Sequence, residues 1–304
     1  MNNLDMSVNI AGISLKNPIV TASGTFGNGW EISRYYDLSE LGAVTSKAIT
    51  LSPKQGNPPP RIAETDSGVL NSVGLQNSGI EFFLKYDLPN LRRYDTKVIA
   101  NISGNTIEEN CEIAKRLGGE VDFIELNISC PNVKQGGVAF GTDPRIVYDI
   151  TGRVREHCSV PLIVKLSPNV TDIVEIAVAA QKGGANALSL INTLLGMKID
   201  VNTRKPILAN NTGGLSGPAV KPVAVRMVWQ VAKNVDLPII GMGGIMSGED
   251  AAEFILAGAS AVAVGTANLV TPTAALDIKK QFVQYLVKNK IKNVKDIIGA
   301  VIAN

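Results

Sequence analysis

A (β/α)8 barrel, an α/β fold, is the class this sequence predicts, and three observations lead there. Short apolar, β-branched runs recur eight times along the chain, each bounded by polar or glycine residues. Segments of helical periodicity separate them, as expected when strands and helices alternate. The length, 304 residues, suits one barrel of this kind with loop insertions. Near-continuous apolar runs read as parallel strands covered on both faces. A doubly wound open sheet is the runner-up. No linker, charge block or low-complexity segment splits the sequence, so residues 1–304 are expected to form one barrel domain.

The strands are expected at residues 18–22, 43–47, 97–101, 123–127, 162–166, 187–191, 238–241 and 261–265. Helical patterns follow several of them. Residues 105–117 open with Thr106-Ile107-Glu108-Glu109, which puts acidic side chains in a first turn. Residues 171–181 begin Thr-Asp-Ile-Val-Glu, a capping-box-like start. Residues 247–256 begin Ser-Gly-Glu-Asp, and Gly258 follows as a C-cap candidate. Some strand-to-strand steps are about 25 residues, the size of a bare βα unit. Longer steps place insertions at about 48–78, 128–142 and 192–217. All three follow the C-terminal end of a strand, where barrels build their sites. The first contains Asn57-Pro58-Pro59-Pro60 and reads as an extended arm or lid.

Composition narrows the function. Hydrophobic residues make up 45% and charged residues 18%, which suits a large buried core and disfavours disorder. The 29 Lys and Arg nearly balance 27 Asp and Glu, so there is no basic excess to bind nucleic acid. The three cysteines, Cys111, Cys130 and Cys158, form no C-x-x-C pair. A disulfide framework, a structural zinc site or an iron–sulfur cluster is therefore not expected, and no metal is. One histidine, His157, leaves no material for a Ser-His-Asp triad or a multi-His site. The first ten residues lack the pattern of a secretory leader, and no uncharged apolar run reaches the length of a membrane span. Together with the cysteine usage, this predicts a cytoplasmic protein without a membrane partner.

Chemistry collects where the strands end. Strand one leads into Ser23-Gly24, strand two ends at Lys47, strand three at Asn101 and strand four at Asn127. Strand five carries Lys165, and strand six leads into Asn192-Thr193. Strand seven ends Gly241-Met242-Gly243-Gly244, and strand eight ends Gly265-Thr266. Any one Asn or Gly here has a plain reading as a turn former. In register, the set converges on one mouth. Glycine turns after strands seven and eight are where barrels hold phosphate with backbone N–H groups. No G-x-G-x-x-G follows an early strand, which disfavours a Rossmann nicotinamide site. Cys130 lies in the loop beyond strand four. Without a histidine partner it is a weak hydrolase nucleophile, but it can serve as a proton-abstracting base. Cys111 and Cys158 read as small packing residues.

These motifs resemble the class 1 dihydroorotate dehydrogenases. The resemblance is carried by Asn127-Ile128-Ser129-Cys130-Pro131-Asn132, Thr21-Ala22-Ser23-Gly24, Ser46-Lys47 and Asn71-Ser72-Val73-Gly74-Leu75-Gln76-Asn77. Gly241-Met242-Gly243-Gly244-Ile245 and Val264-Gly265-Thr266-Ala267-Asn268 add to it, and it runs from about Leu4 to the C-terminus. Class 2 members carry serine at the base position and a membrane-associated extension. Val8-Asn9-Ile10-Ala11-Gly12 and the run from Val133 to Gly141 resemble class 1B, the NAD-linked branch.

The resemblance implies one FMN per chain. Its contacts would be Ser23, Lys47, Ala48, Asn101, Asn127, Lys165, Ile191, Gly217, Gly243, Gly244, Gly265 and Thr266, the last two turns holding its phosphate. Lys165 would stabilise negative charge on the reduced ring. Dihydroorotate would be bound by Lys47, Asn71, Ser72, Val73, Gly74, Leu75, Asn127, Asn132, Asn192 and Thr193. Cys130 would take the proton from C5, giving orotate in pyrimidine biosynthesis. A partner electron-transfer subunit with FAD and a 2Fe-2S cluster would pass electrons to NAD, in a heterotetramer of two catalytic and two electron-transfer chains. The alternatives are a class 1A-type, fumarate-dependent enzyme, or another FMN barrel acting on a dihydropyrimidine.

Overall fold

The computed structural model describes residues 4–129, 131–132 and 138–302. Eight parallel strands close into a barrel: β1 (Ile19–Thr21), β2 (Ala43–Thr45), β3 (Lys97–Ile102), β4 (Phe123–Asn127), β5 (Leu162–Lys165), β6 (Ala187–Leu190), β7 (Ile239–Met242) and β8 (Ala261–Val264). Each pairs with its neighbour in sequence, and β8 closes on β1 through Val262↔Ile19, Ala263↔Val20 and Val264↔Thr21. All eight coincide with the runs read from the sequence, β3 and β7 each continuing one residue further, to Ile102 and Met242. Nearly every residue in them is buried, because helices cover the outside and side chains fill the inside. The open-sheet alternative is excluded by closure.

The outer helices are α1 (Ile107–Leu117), α2 (Pro144–Arg155), α3 (Ile173–Lys182), α4 (Lys221–Ala232), α5 (Gly248–Leu256) and α6 (Ala274–Lys288). Their starts follow from side chains that accept free N–H groups. Thr106 accepts from Glu109 at the head of α1, and Ser247 accepts from Asp250 at the head of α5. At α3 the cap is Asp172, which accepts from Val174 and Glu175. The capping box expected from Thr171 is thus one residue later, with a carboxylate as acceptor. Gly258 follows α5 at φ +118, and a Cβ there would stand 2.4 Å from the Ala232 Cβ. Only glycine meets both demands. Between β2 and β3 the helical stretch 79–91 contains a π-helical turn, Phe83–Asp87.

The insertions after β2 and β6 are not separate loops. A hairpin, Ile62–Thr65 and Gly68–Asn71, pairs with Thr212–Ser216, which pairs in turn with Leu194–Met197. The expected extended arm is therefore half of a four-stranded antiparallel sheet. Ala63, Leu70 and Leu208 form a small core of its own. Among the described residues, no helix is long and apolar enough to cross a membrane.

Candidate active site

The sheet and the C-terminal ends of the barrel strands enclose a cavity of about 630 Å³. Into its wall come Ser23, Lys47, Ala48, Asn127, Lys165, Ile191, Gly243, Gly244, Gly265 and Thr266, the residues expected to hold a cofactor. Asn71, Ser72, Val73, Gly74, Leu75, Asn192 and Thr193, expected at the substrate, line the same space. Residues from seven of the eight strand ends and from both insertions thus meet at one mouth.

Two expected residues stand behind the wall. Asn101 is fully buried in β3 and donates from Nδ2 to the Glu125 carboxylate at 2.5 Å. Ser189 Oγ donates to the other oxygen of Glu125 at 2.7 Å, so a polar cluster joins β3, β4 and β6 inside the barrel. Gly217 begins the turn Pro218–Val220, and its carbonyl backs Gly244 rather than the cavity. Cys130 lies outside the described residues, as do residues 133–137 of the class 1B motif. The backbone on either side of Cys130 is described: Ser129 lines the cavity, and Pro131–Asn132 pairs with Val138–Ala139.

Hydrogen bonds orient the amides. Asn192 donates from Nδ2 to Asn127 Oδ1 at 3.1 Å and to Ser129 Oγ at 2.8 Å. Its own Oδ1 accepts the Thr193 N–H at 2.8 Å. Asn127 Oδ1 also accepts the Ser129 N–H at 3.2 Å, which fixes the amide orientation and leaves Nδ2 as a donor with no partner among the described residues. Asn57 donates to the carbonyl and hydroxyl of Ser72, both at 3.0 Å, and steadies the Asn71–Leu75 wall.

Lys165 is 5% exposed, and its ammonium donates to Ser23 Oγ at 3.4 Å. Among the described residues no carboxylate pairs with it. A buried ammonium without an anion calls for a negative or electron-rich group opposite. Burial, and then the Arg61 guanidinium, push the Lys47 ammonium below the usual lysine range. Thr25 Oγ1, in the cavity wall, is buried and without a partner among the described residues. Gly244 sits at φ +80, where a Cβ would meet Gly217 O and Lys221 Cβ at 2.8 Å. The turn after β7 is thereby held close, with its backbone presented to the cavity. An orphaned hydroxyl, an unpaired buried lysine and a glycine cradle together fit FMN: a phosphate at Gly243–Gly244 and Gly265–Thr266, and a polar ring beside Lys165. Among the described residues no group of His, Cys, Asp or Glu is set to hold a metal.

The sequence reading missed Lys54, Asn57, Asn105, Ser129 and Asn210 in the wall, and Glu125 beneath it. Lys54 donates to Asn105 at 2.7 Å, tying the first insertion to the loop after β3. The one signal for Lys54, Asn57, Ser129 and Asn210 was their place in the insertions; Asn105, in the loop after β3, and Glu125, within β4, carried none. Of the other cysteines, Cys111 is buried in α1, and burial pushes the Cys158 thiol up to about 11.

Barrel and mouth together define a class, an α/β barrel with a polar, glycine-lined cavity at the C-terminal ends of its strands. Within that class the chain belongs to the dihydroorotate dehydrogenase family, whose pattern it matches over residues 5–286. It is 61% identical to the catalytic subunit of dihydroorotate dehydrogenase B (NAD(+)) of Alkaliphilus metalliredigens, over 99% of this chain and 100% of that one. It is 59% identical to the protein of the same description from Geobacter metallireducens, over 99% of each. Among solved structures, the dihydroorotate dehydrogenase of Eimeria tenella, in complex with ferulenol, is similar with a TM-score of 0.81. That match is 26% identical and covers 97% of this chain and 88% of the other.

Proposed function

We propose that this chain is the catalytic subunit of an NAD-linked dihydroorotate dehydrogenase and oxidises (S)-dihydroorotate to orotate in pyrimidine synthesis. The observation that carries the site reading is the buried Lys165, without a carboxylate partner among the described residues, facing the same cavity as the glycine turns and the Asn127–Asn192 amides. When bound there, FMN supplies the hydride acceptor. Gly243, Gly244, Gly265 and Thr266 hold its phosphate, and Lys165 sets a positive charge beside its ring. Ser23, Ala48 and Ile191 complete its pocket.

Substrate recognition falls to neutral donors and acceptors and one cation. Lys47 pairs with the carboxylate of dihydroorotate, and its lowered affinity for a proton in the empty site is offset by that pairing. Asn71, Asn127, Asn132, Asn192 and Thr193 bind the ring amides. The backbone of Ser72, Val73, Gly74 and Leu75 closes over them and excludes water. Cys130 takes the proton from C5 while the hydride leaves C6. A thiol with an ordinary pKa of about 8.5 is only a few per cent thiolate at neutral pH, so reduction speeds up with rising pH.

Electrons leave through a partner. The chain has three cysteines, too few for a four-thiolate cluster. The two relatives are described as catalytic subunits of an NAD(+) enzyme, which supports a separate electron-transfer chain; FAD and 2Fe-2S on that chain are what the family resemblance implies. A cytoplasmic heterotetramer of two such pairs is the assembly we infer. Anaerobic addition of dihydroorotate to the purified flavoprotein tests the reading: the flavin band near 450 nm (an approximate position) bleaches. A flavin that stays oxidised under excess dihydroorotate removes the proposal.

A further inference from the structure

Beside the main cavity lies a second one of about 270 Å³, and Lys47 and Ala48 belong to the walls of both. Asn28 and Asp87 line the smaller cavity. Asn28 stands in the loop after β1. Its Oδ1 accepts the backbone N–H of Lys47 at 2.9 Å, and its Nδ2 donates to Asp87 Oδ2 at 2.7 Å. Asp87 is 6% exposed and ends the π-helical turn in the stretch 79–91. A backbone N–H only donates and a carboxylate only accepts, so a single orientation of the Asn28 amide satisfies both. Three elements, the β1 loop, the β2 end and the helical stretch, are thereby tied at one point.

We propose that Asn28 and Asp87 are positioning residues that fix Lys47 at the active-site mouth and so set the affinity for dihydroorotate. The proposal rests on Lys47 being a substrate ligand, as read above. Lys47 follows the last β2 residue by two positions; Ser46 N–H and Ile49 N–H still donate to the β3 carbonyls of Ile99 and Asn101, but no strand carbonyl accepts the Lys47 N–H among the described residues. Asn28 takes that place. Asp87 keeps the amide from turning over, because the reversed amide would aim Oδ1 at a carboxylate. Burial, and then the exposed Glu31 carboxylate, push Asp87 up to about 6. It remains an ionised acceptor at neutral pH, at some expense to the fold.

Reversing the polarity of the tie tests it. Asn28→Asp places two carboxylates face to face. Adding Asp87→Asn lets the new amide donate to residue 28, whose other oxygen still accepts from Lys47. The holoprotein is mixed anaerobically with dihydroorotate, and flavin bleaching is followed against concentration. The expected result is a dissociation constant raised about tenfold in Asn28→Asp, the size of one lost hydrogen bond to a charged group. The double variant recovers most of it, and the limiting rate changes little. Parent-like affinity in Asn28→Asp overturns the proposal, as does a double variant no better than the single, or a loss confined to the limiting rate.

If Asn28→Asp does not fold, Asp87→Leu and Asp87→Asn take its place. Leucine offers no acceptor and loses affinity, asparagine keeps one and loses less, and equal losses overturn the tie. Deuterium exchange at the Lys47 amide is read on the same proteins without substrate. Protection in the parent, loss in Asn28→Asp and return in the double variant are expected. Unchanged exchange overturns the tie even where dihydroorotate fails to reduce the parent, a failure that would sink the functional reading instead.

Discussion

The proposed base, Cys130, and Lys47 of the cavity wall can each be tested by one substitution. Cys130→Ala would remove the proposed proton acceptor while keeping the residues that line the cavity. Flavin reduction by dihydroorotate is expected to slow by roughly 10²–10⁴-fold, the scale of general-base catalysis, with FMN content unchanged. Reduction at the parent rate would assign the C5 proton to another group. Lys47 carries an ammonium that burial and Arg61 disfavour. A lysine whose pKa falls on folding opposes folding below its folded pKa, and the opposition fades as pH rises through that value toward the unfolded one. Lys47→Met is therefore expected to raise the melting temperature at neutral pH by roughly 1–3 °C, while abolishing dihydroorotate binding. The gain shrinks in alkaline buffer. A lower melting temperature at pH 7 would show that Lys47 stabilises the empty site.

Elements place these side chains, and two of them can be probed separately. The sheet over the mouth meets β6 where Gly214 passes Thr193: a Cβ on Gly214 would stand 2.0 Å from Thr193 Oγ1 and 2.6 Å from its Cβ. Gly214→Ala must displace the strand Thr212–Ser216 or Thr193 itself. The expected outcome is a KM for dihydroorotate raised roughly 10-fold or more, since misplacement by an ångström is expensive at a site, with FMN retention intact. Unchanged KM would detach the sheet from substrate binding. The helical stretch 79–91 holds Asp87, whose folded pKa of about 6 exceeds its ordinary value near 4. Such a group lowers stability progressively as pH rises from about 4 to 6, because the folded state then binds more protons than the unfolded one. Asp87→Asn should melt with the parent at pH 4 and above it at pH 7, by up to about 3 kcal/mol. Parallel melting curves across that range would contradict the burial penalty.

At the scale of the whole molecule, the barrel gathers the proposed cofactor and substrate residues at one cavity, while three cysteines are too few for a four-thiolate redox centre. The purified chain is expected to contain FMN and no iron. It should be reduced by dihydroorotate yet reduce NAD poorly until an electron-transfer subunit is added, which is checked by metal analysis and by NADH formation at 340 nm (an approximate wavelength). Rapid NAD reduction by the chain alone would overturn the two-subunit reading, and fast turnover with fumarate would favour the class 1A type.

All eight barrel strands were legible in the sequence, because parallel strands covered on both faces need unbroken apolar runs, and Ile19–Thr21 or Ala261–Val264 offer little else. The strand-end residues were legible too, since a closed barrel carries the ends of all its strands to one rim. The pairing of Gly68–Asn71 with Thr212–Ser216 was not. It joins segments about 140 residues apart, and short Gly-rich strands show no alternation strong enough to declare a partner. Asn101, by its strand-end position, and Gly217, by the family resemblance, were expected at the cofactor; neither lines the cavity, Asn101 being buried in its strand and Gly217 lying in the turn behind Gly244. Glu125 read as one more strand residue. Only the closed barrel brings Asn101 and Ser189 to its carboxylate, and only the folded chain brings Asn28 between Lys47 and Asp87. Local pattern determines which residues are strands and where they end; which polar groups face one another depends on long-range closure, to which no local pattern is sensitive.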